Sequence, residues 1–129
     1  YFFNRYSKNH HASSAGIQAE KYQKKRVVDF IKDFPEAKEK WKELNLPDFI
    51  LNRSPVPFTK ALADKFDKIV FILEAKNLIP KEVKNNQKVE LWKIQDGIDN
   101  QGKLKSLEIH EKIIKKIETK VKNLIRNIE

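Results

Sequence analysis

The chain has 129 residues, which is enough for one ordinary domain, and 40% of them are hydrophobic, which allows a modest core. The absence of cysteine excludes structural disulfides, thiolate zinc sites, iron–sulfur clusters and a cysteine nucleophile. The formal net charge is +9.

This charge lies at the two ends of the chain. Residues 1–26 carry a net charge of +5 and residues 103–129 carry +4, whereas residues 27–102 contain 13 basic and 13 acidic residues. The 23 lysines far outnumber the four arginines. Lysine is suited to neutralising phosphates and arginine to reading bases, so sequence-specific recognition of DNA is disfavoured. An AT-rich genome would produce the same lysine bias.

The printed sequence contains no methionine and begins at Tyr1. We expect either removal of an N-terminal presequence during import into an organelle or a fragment of a longer chain. The longest apolar run, at 69–73, is far shorter than the ~20 residues that span a bilayer, so no transmembrane segment is expected. The expected location is intracellular, in the mitochondrial matrix or otherwise in the cytoplasm.

The sequence predicts a mostly α-helical domain of about four to five helices. We divide it into an arm at 1–16, a helical body at 17–105 and a C-terminal amphipathic helix at 106–129. The arm shows no helical or strand period, which predicts extended structure. Its aromatic and basic side chains alternate, a composition suited to stacking on RNA bases and pairing with phosphates, or to docking on a neighbouring protein. The predicted RNA contacts in the arm are Arg5, Tyr6 and Lys8.

The first predicted helix of the body runs from Ser13 or Ser14 to about Phe34, with an apolar face that strengthens towards its end. A basic cluster precedes that face and is predicted to contact RNA. Its members are Lys21, Lys24, Lys25 and Arg26. A second helix is predicted from Pro35 to about Asn45.

A Pro-rich connector is predicted at 45–57 because its three prolines interrupt regular helix. A third helix is predicted at 58–77, where apolar residues recur at helical spacing, and we expect it to lie in the core. Residues 88–109 permit two interpretations. Helix–loop–helix is slightly favoured, and a hairpin that pairs 88–95 with 103–109 is the alternative.

The last predicted helix runs from Ser106 to Glu129 and carries a regular heptad seam, which could pack against the body or against another chain. The seam residues are Leu107, His110, Ile114, Ile117, Val121, Leu124 and Ile128. Lysines elsewhere on the helix are predicted to contact RNA. They are Lys112, Lys115, Lys116, Lys120 and Lys122.

No pattern of residues predicts catalysis or metal binding. His10 and His11 are adjacent, so their side chains would not converge on one metal, and His110 is alone on the seam. The three glycines form neither a P-loop nor a dinucleotide fingerprint. The acidic turn at 96–102 lacks the spacing and the terminal glutamate of a calcium loop. We therefore expect no enzyme activity, cofactor, metal or small-molecule substrate.

Three functions remain as hypotheses. The chain looks in composition like ribosomal and other ribonucleoprotein accessory proteins, which favours a non-catalytic structural subunit that contacts rRNA and neighbouring proteins. One alternative is an accessory subunit of a multiprotein membrane complex, such as a respiratory-chain or ATP synthase assembly. The other is a small DNA-binding or regulatory protein that dimerises through its C-terminal helix.

Overall fold

The computed structural model describes residues 1–17, 35–54, 56–97, 99–101 and 105–129. Within these ranges the chain forms four α-helices, two β-strands and two short 3-10 helices. The α-helices are α1 (Phe2–Tyr6), α2 (Pro35–Glu43), α3 (Lys60–Ala63) and α4 (Leu107–Ile128). The strands are β1 (Ile69–Leu73) and β2 (Val89–Lys93), and the 3-10 helices span Asp48–Asn52 and Lys76–Leu78. None of the helices described is both long and apolar enough to cross a membrane.

The two strands form a small parallel sheet at the centre of the fold. Ile69 is paired with Val89, and the register continues to Leu73, which is paired with Lys93. Parallel strands need a long connection, and residues 74–88 provide it. Parallel sheets are normally covered on both faces, and this sheet has a hydrophobic cluster on each.

The first cluster lies on one face of the sheet. Successive side chains of a strand point to opposite faces, so Ile69, Phe71 and Leu73 lie together on this side. The buried side chains of Ala63 and Val83 pack against them from α3 and from the connection between the strands. This layer joins the middle of the sequence to the sheet.

The second cluster lies on the opposite face and brings in both ends of the chain. Trp92 from β2 and Ile94 just beyond it are buried against Val121 and Ile125 of α4. Apolar side chains that are only partly buried complete the cluster. They are Phe2, Phe3, Tyr6, Val70, Ile113, Ile117 and Leu124.

The long C-terminal helix is confirmed. The hydroxyl oxygen of Ser106 caps α4 by accepting a hydrogen bond from the amide of Ile109, 3.4 Å away, which satisfies one of the free donors of the first turn. The helix ends at Ile128, one residue before the predicted limit. Its strong amphipathic pattern explains why the sequence alone located it.

The helix predicted at 58–77 is wrong. Helix α3 ends at Ala63, and the run from Ile69 to Leu73 is β1. The side chain of Lys88 stabilises this break, because its ammonium group donates hydrogen bonds to the carbonyls of Ala63 and Phe66, each at 2.9 Å. The β-branched residues of the run, Ile69, Val70 and Ile72, favour a strand over a helix.

The helix–loop–helix interpretation of 88–109 is wrong, and the hairpin alternative is confirmed only in placing a strand within 88–95. Residues Val89–Lys93 are a strand, which excludes helix–loop–helix, and that strand pairs in parallel with β1. Residues 107–109 already belong to α4. Pairing with β1, which is distant in the sequence, therefore stabilises residues Val89–Lys93 as a strand.

The arm is not extended at its start, because Phe2–Tyr6 forms α1. A helix of five residues is too short to show a period and has little stability by itself, so its packing on α4 holds it. Further along, the side chain of Asn4 binds both the amide and the carbonyl of Ala12. Gly16 forms a parallel bridge with Pro57, which attaches the end of the arm to the connector.

Helix α2 agrees with the second predicted helix of the body. Asn45 follows it with a φ of 59°, a left-handed conformation that asparagine tolerates and that commonly ends helices. Within the predicted connector, residues Asp48–Asn52 form a 3-10 helix. The helix predicted from Ser13 or Ser14 to Phe34 lies largely outside the described residues. Its predicted start is wrong, because residues 13–17 are not helical and Gly16 bridges Pro57.

Candidate nucleic-acid interface

Helices α1 and α4 pack together, which places the first residues of the N-terminal arm beside the C-terminal basic helix. The aromatic rings of Phe2, Phe3 and Tyr6 lie on the sheet-facing side of α1 and pack around the cluster beneath α4. The polar residues of α1, including Arg5, remain exposed. Packing of the aromatic side chains therefore determines where the cations of the arm lie.

Tyr6 is the centre of the contact between the helices. Its hydroxyl donates a hydrogen bond to the carboxylate of Glu118. The ammonium nitrogen of Lys122 lies 4.8 Å from the centre of its ring, and the guanidinium carbon of Arg5 lies 5.5 Å from it. One aromatic ring thus carries a cation from each end of the chain, within the distance at which cation–π attraction operates.

The charges around Tyr6 change its acid–base behaviour. The hydrogen bond to Glu118 raises the pKa of the Tyr6 hydroxyl above its ordinary value, since a nearby carboxylate opposes formation of phenolate. The same hydrogen bond lowers the pKa of Glu118, and Lys122, whose ammonium nitrogen is 3.3 Å from that carboxylate, lowers it further. Glu118 is therefore ionised and fully engaged within the fold.

A second carboxylate on α4 is engaged in the same way. Glu111 accepts ion pairs from Lys115 and from Lys40 of α2, both at 2.9 Å. Lys115 makes the larger contribution to lowering the pKa of Glu111, followed by Lys40. The acidic side chains at this edge of α4 thus hold α1 and α2 in place, while the cations beside them face solvent.

The solvent-facing side of α4 carries a row of exposed residues at spacings of four and three, which are Glu108, Lys112, Lys115, Thr119, Lys122 and Arg126. These spacings place them on one face of the helix. We call Lys112, Lys115, Lys122 and Arg126 the cationic stripe. It extends over about 21 Å at 1.5 Å per residue, long enough to follow several phosphates of a nucleic acid.

Two predicted contacts lie elsewhere. Lys116 donates a hydrogen bond to the carbonyl of Lys93, 3.4 Å away, and the ammonium nitrogen of Lys120 lies 5.7 Å from the centre of the Trp92 ring. Both side chains therefore reach towards β2 on the other edge of α4. Lys116 lies four residues after Lys112 and adjoins the stripe, whereas Lys120 is half-buried and lies further towards β2.

The structure gathers part of the predicted set on one surface, namely Arg5, Tyr6, Lys112, Lys115 and Lys122. Lys8 follows α1, where its backbone amide binds the Glu129 carboxylate at 3.2 Å and its side chain is exposed. The basic cluster Lys21, Lys24, Lys25 and Arg26 lies outside the described residues. Sequence reasoning missed Arg126, although its position four residues after Lys122 was sufficient to place it on the stripe.

The heptad seam faces the body along much of its length. Val121 is buried, and Ile117 and Leu124 pack against the same cluster. Ile128 at the end of the helix is 41% exposed. The ε nitrogen of His110 is buried and has no hydrogen-bond partner among the described residues.

A polar cleft of about 290 Å³ lies at the carboxyl end of the sheet and is lined by Glu74, Asp96, Asp99, Asn100 and Lys105. The carboxylate of Glu74 accepts a hydrogen bond from the amide of Asp96 at 2.6 Å, which ties the ends of the two strands together. In the part of the chain that is described, no group of three or more His, Cys, Asp or Glu side chains is placed to hold a metal ion.

Comparison of the chain with protein-family models, with curated proteins and with solved structures found no match. The chemistry of the interface therefore has to be judged from its geometry. Exposed ammonium and guanidinium groups can neutralise phosphates, and aromatic rings beside them can contact bases.

Proposed function

We propose that the protein is a structural, non-catalytic subunit of a ribonucleoprotein, such as a cytoplasmic or mitochondrial ribosome, and that it binds the RNA backbone through α1 and α4. The observation that carries this proposal is that Arg5 of α1 lies beside the cations of α4 on one surface. Arg5 and Lys122 meet at Tyr6, and the rest of the cationic stripe continues along α4.

The distribution of acidic partners supports the same function. Glu111 and Glu118 bind α2 and α1, so they do not approach the outermost cations of the stripe. Lys112 and Arg126 are exposed and make no ion pair among the described residues. Exposed cations without such partners, at both ends of the stripe, are suited to a polyanion, whose binding releases counterions and is therefore strongly dependent on salt.

Binding of a structured RNA fragment at a series of salt concentrations tests the proposal. We expect tight binding at low salt and a steep loss of affinity as salt rises, with each phosphate contact contributing about 0.7–0.9 to the slope of log K against log salt. The double variant K112E/R126E should bind more weakly and with a shallower slope. The matched control is K81E/K84E, which reverses two exposed lysines away from α4.

Failure of the wild-type protein to bind RNA at low salt would overturn the proposal. So would an equal loss of affinity in the stripe variant and in the control, since that would indicate attraction by overall charge alone. Association with partner polypeptides that survives ribonuclease treatment would favour the accessory-subunit alternative. Tighter binding to duplex DNA than to RNA would favour the DNA-binding alternative, for which burial of Val121 leaves less of the seam free to dimerise.

A further inference from the structure

A large aromatic side chain lies at the surface next to α1. Phe49 belongs to the 3-10 helix Asp48–Asn52 and is 55% exposed, the highest exposed fraction among the large hydrophobic residues in the described ranges. Its ring meets that of Tyr1 edge-on, with 6.1 Å between the ring centres. This contact holds Phe49 beside the arm and leaves much of its ring open to solvent.

The rings and cations beyond Phe49 form a continuous row. The guanidinium carbon of Arg5 lies 5.9 Å from the centre of the Tyr1 ring and 5.5 Å from that of Tyr6, and one of its nitrogens donates a hydrogen bond to the Tyr1 hydroxyl at 2.9 Å. Lys122 continues the row, 4.8 Å from the Tyr6 ring. We call Phe49, Tyr1, Arg5, Tyr6 and Lys122 the aromatic–cationic row.

The row alternates two kinds of group with different preferences. Aromatic rings and guanidinium planes stack on nucleobases, whereas ammonium and guanidinium groups pair with phosphates. Bases inside a duplex are stacked on one another and cannot reach a protein ring, while the bases of a single strand can. Because cations interrupt the rings, the row lacks the continuous apolar area that marks protein-docking patches.

We propose that the aromatic–cationic row binds single-stranded RNA, with Phe49 stacking on a base while Arg5 and Lys122 contact the neighbouring phosphates. This inference rests on the proposed function, because it states that the RNA bound at this surface is single-stranded. Its new element is Phe49, which neither the charge pattern nor the cationic stripe includes. Stacking of this kind is tolerant of sequence, because every base has a face.

The experiment compares three probes of equal length by fluorescence anisotropy at low salt. They are a labelled single-stranded oligouridine, a labelled RNA duplex and a labelled abasic strand that keeps the phosphates and lacks the bases. The wild-type protein should bind the oligouridine more tightly than the abasic strand. Phe49→Ala should weaken binding of the oligouridine about 10-fold and leave binding of the abasic strand unchanged, because only stacking is lost.

Two further variants complete the design. Phe49→Trp should keep wild-type affinity for the oligouridine, because tryptophan also stacks. Leu78→Ala is the matched control, since Leu78 is 47% exposed, lies in the other 3-10 helix and is outside the row. Circular dichroism should show the same helix content in all variants, because the substituted side chains are exposed.

The outcomes separate this inference from the proposed function. If Phe49→Ala binds oligouridine as tightly as the wild type while K112E/R126E loses affinity, the single-strand inference fails and the proposed function stands. If Phe49→Ala loses affinity equally for the oligouridine and for the abasic strand, the inference is also overturned, because the effect would not involve bases. Absence of binding to all three probes overturns both.

Discussion

The hydroxyl of Tyr6 donates a hydrogen bond to the carboxylate of Glu118, and this contact joins α1 to α4 across 112 positions of the sequence. The contact lies beside Arg5 of α1 and Lys122 of α4. By fixing α1 against α4, the hydrogen bond determines where Arg5 lies relative to Lys122. A test of this contact is therefore a test of how the candidate interface is assembled.

The first prediction concerns the ionisation of Tyr6. In the wild-type protein the pKa of its phenol should lie above the ordinary value of about 10, because the Glu118 carboxylate opposes loss of the proton. Glu118→Gln removes that negative charge, so the pKa of Tyr6 should fall. Ultraviolet titration of the tyrosines, with Tyr6→Phe to identify the signal, measures the change. An unchanged titration in Glu118→Gln would show that the helices do not meet at this contact.

The second prediction concerns acid. The carboxylate of Glu129 accepts hydrogen bonds from the Ser7 hydroxyl, the ring of His10 and the amides of Lys8 and Asn9, and these lower its pKa to about 2. A carboxyl group whose pKa is lower in the folded state than in the unfolded state stabilises the folded state. This stabilisation is fully present when the pH is above the pKa of the unfolded chain, 4.5. That stabilisation should disappear as the pH falls from about 4.5 to about 2. Thermal unfolding across this range measures it.

The matched variant for this prediction is Glu129→Gln, which keeps the size of the side chain and removes its charge. It should be less stable than the wild type at neutral pH, and the difference should shrink as the pH approaches 2. The backbone amide signals of Lys8 and Asn9 should titrate with Glu129 in the wild type alone. A constant difference between the two proteins across the range would contradict the prediction.

The sequence predicted α4 and α2 because an amphipathic helix shows its period over many consecutive residues. It misassigned residues Ile69–Leu73 because a short apolar run matches both a buried helix segment and a buried strand. The β-branched residues of the run favour a strand, but the parallel partner that stabilises it, Val89–Lys93, lies beyond the 15-residue connection. The spacing of apolar residues within the run does not reveal such a distant partner.

The sequence predicted which types of residue form the candidate interface, but it did not predict where their side chains lie relative to one another. Net charge located the basic ends, and the arm's aromatics suggested stacking, but α1 is too short to show a period. The contacts of Lys116 and Lys120 with β2 follow from where Trp92 and Lys93 lie, which requires the sheet. Phe49 could not be identified because its exposure depends on a 3-10 helix within the predicted connector.

The third prediction tests the packing of α4 on the sheet. Ile125→Ala should destabilise the protein by about 2–5 kcal/mol, because the side chain is 9% exposed and its removal leaves a cavity beside Trp92 and Ile94. Ile128→Ala, one turn later and 41% exposed, should change stability by no more than about 0.5 kcal/mol. Urea unfolding measures both. Equal effects would mean that α4 packs on something other than this sheet.

The last prediction concerns the close approach of Gly97 to His110. A β-carbon added at Gly97 would lie 2.5 Å from the ε carbon of the His110 ring, which is closer than packed atoms allow. Gly97→Ala should therefore destabilise the protein by about 1–3 kcal/mol, because α4 has to shift or the ring has to rotate. Denaturant unfolding gives the size of the loss.

A double-mutant cycle identifies His110 as the cause of that loss. His110→Ala removes the ring that the new β-carbon would strike, so the cost of alanine at position 97 should be smaller in that background, with a coupling of about 0.5–3 kcal/mol. Because the ε nitrogen of His110 has no partner among the described residues, removing the ring sacrifices no hydrogen bond there. If Gly97→Ala destabilises the protein equally with histidine or alanine at position 110, the added β-carbon clashes with the backbone and not with the ring. The packing of α4 near Gly97 would then depend on other contacts.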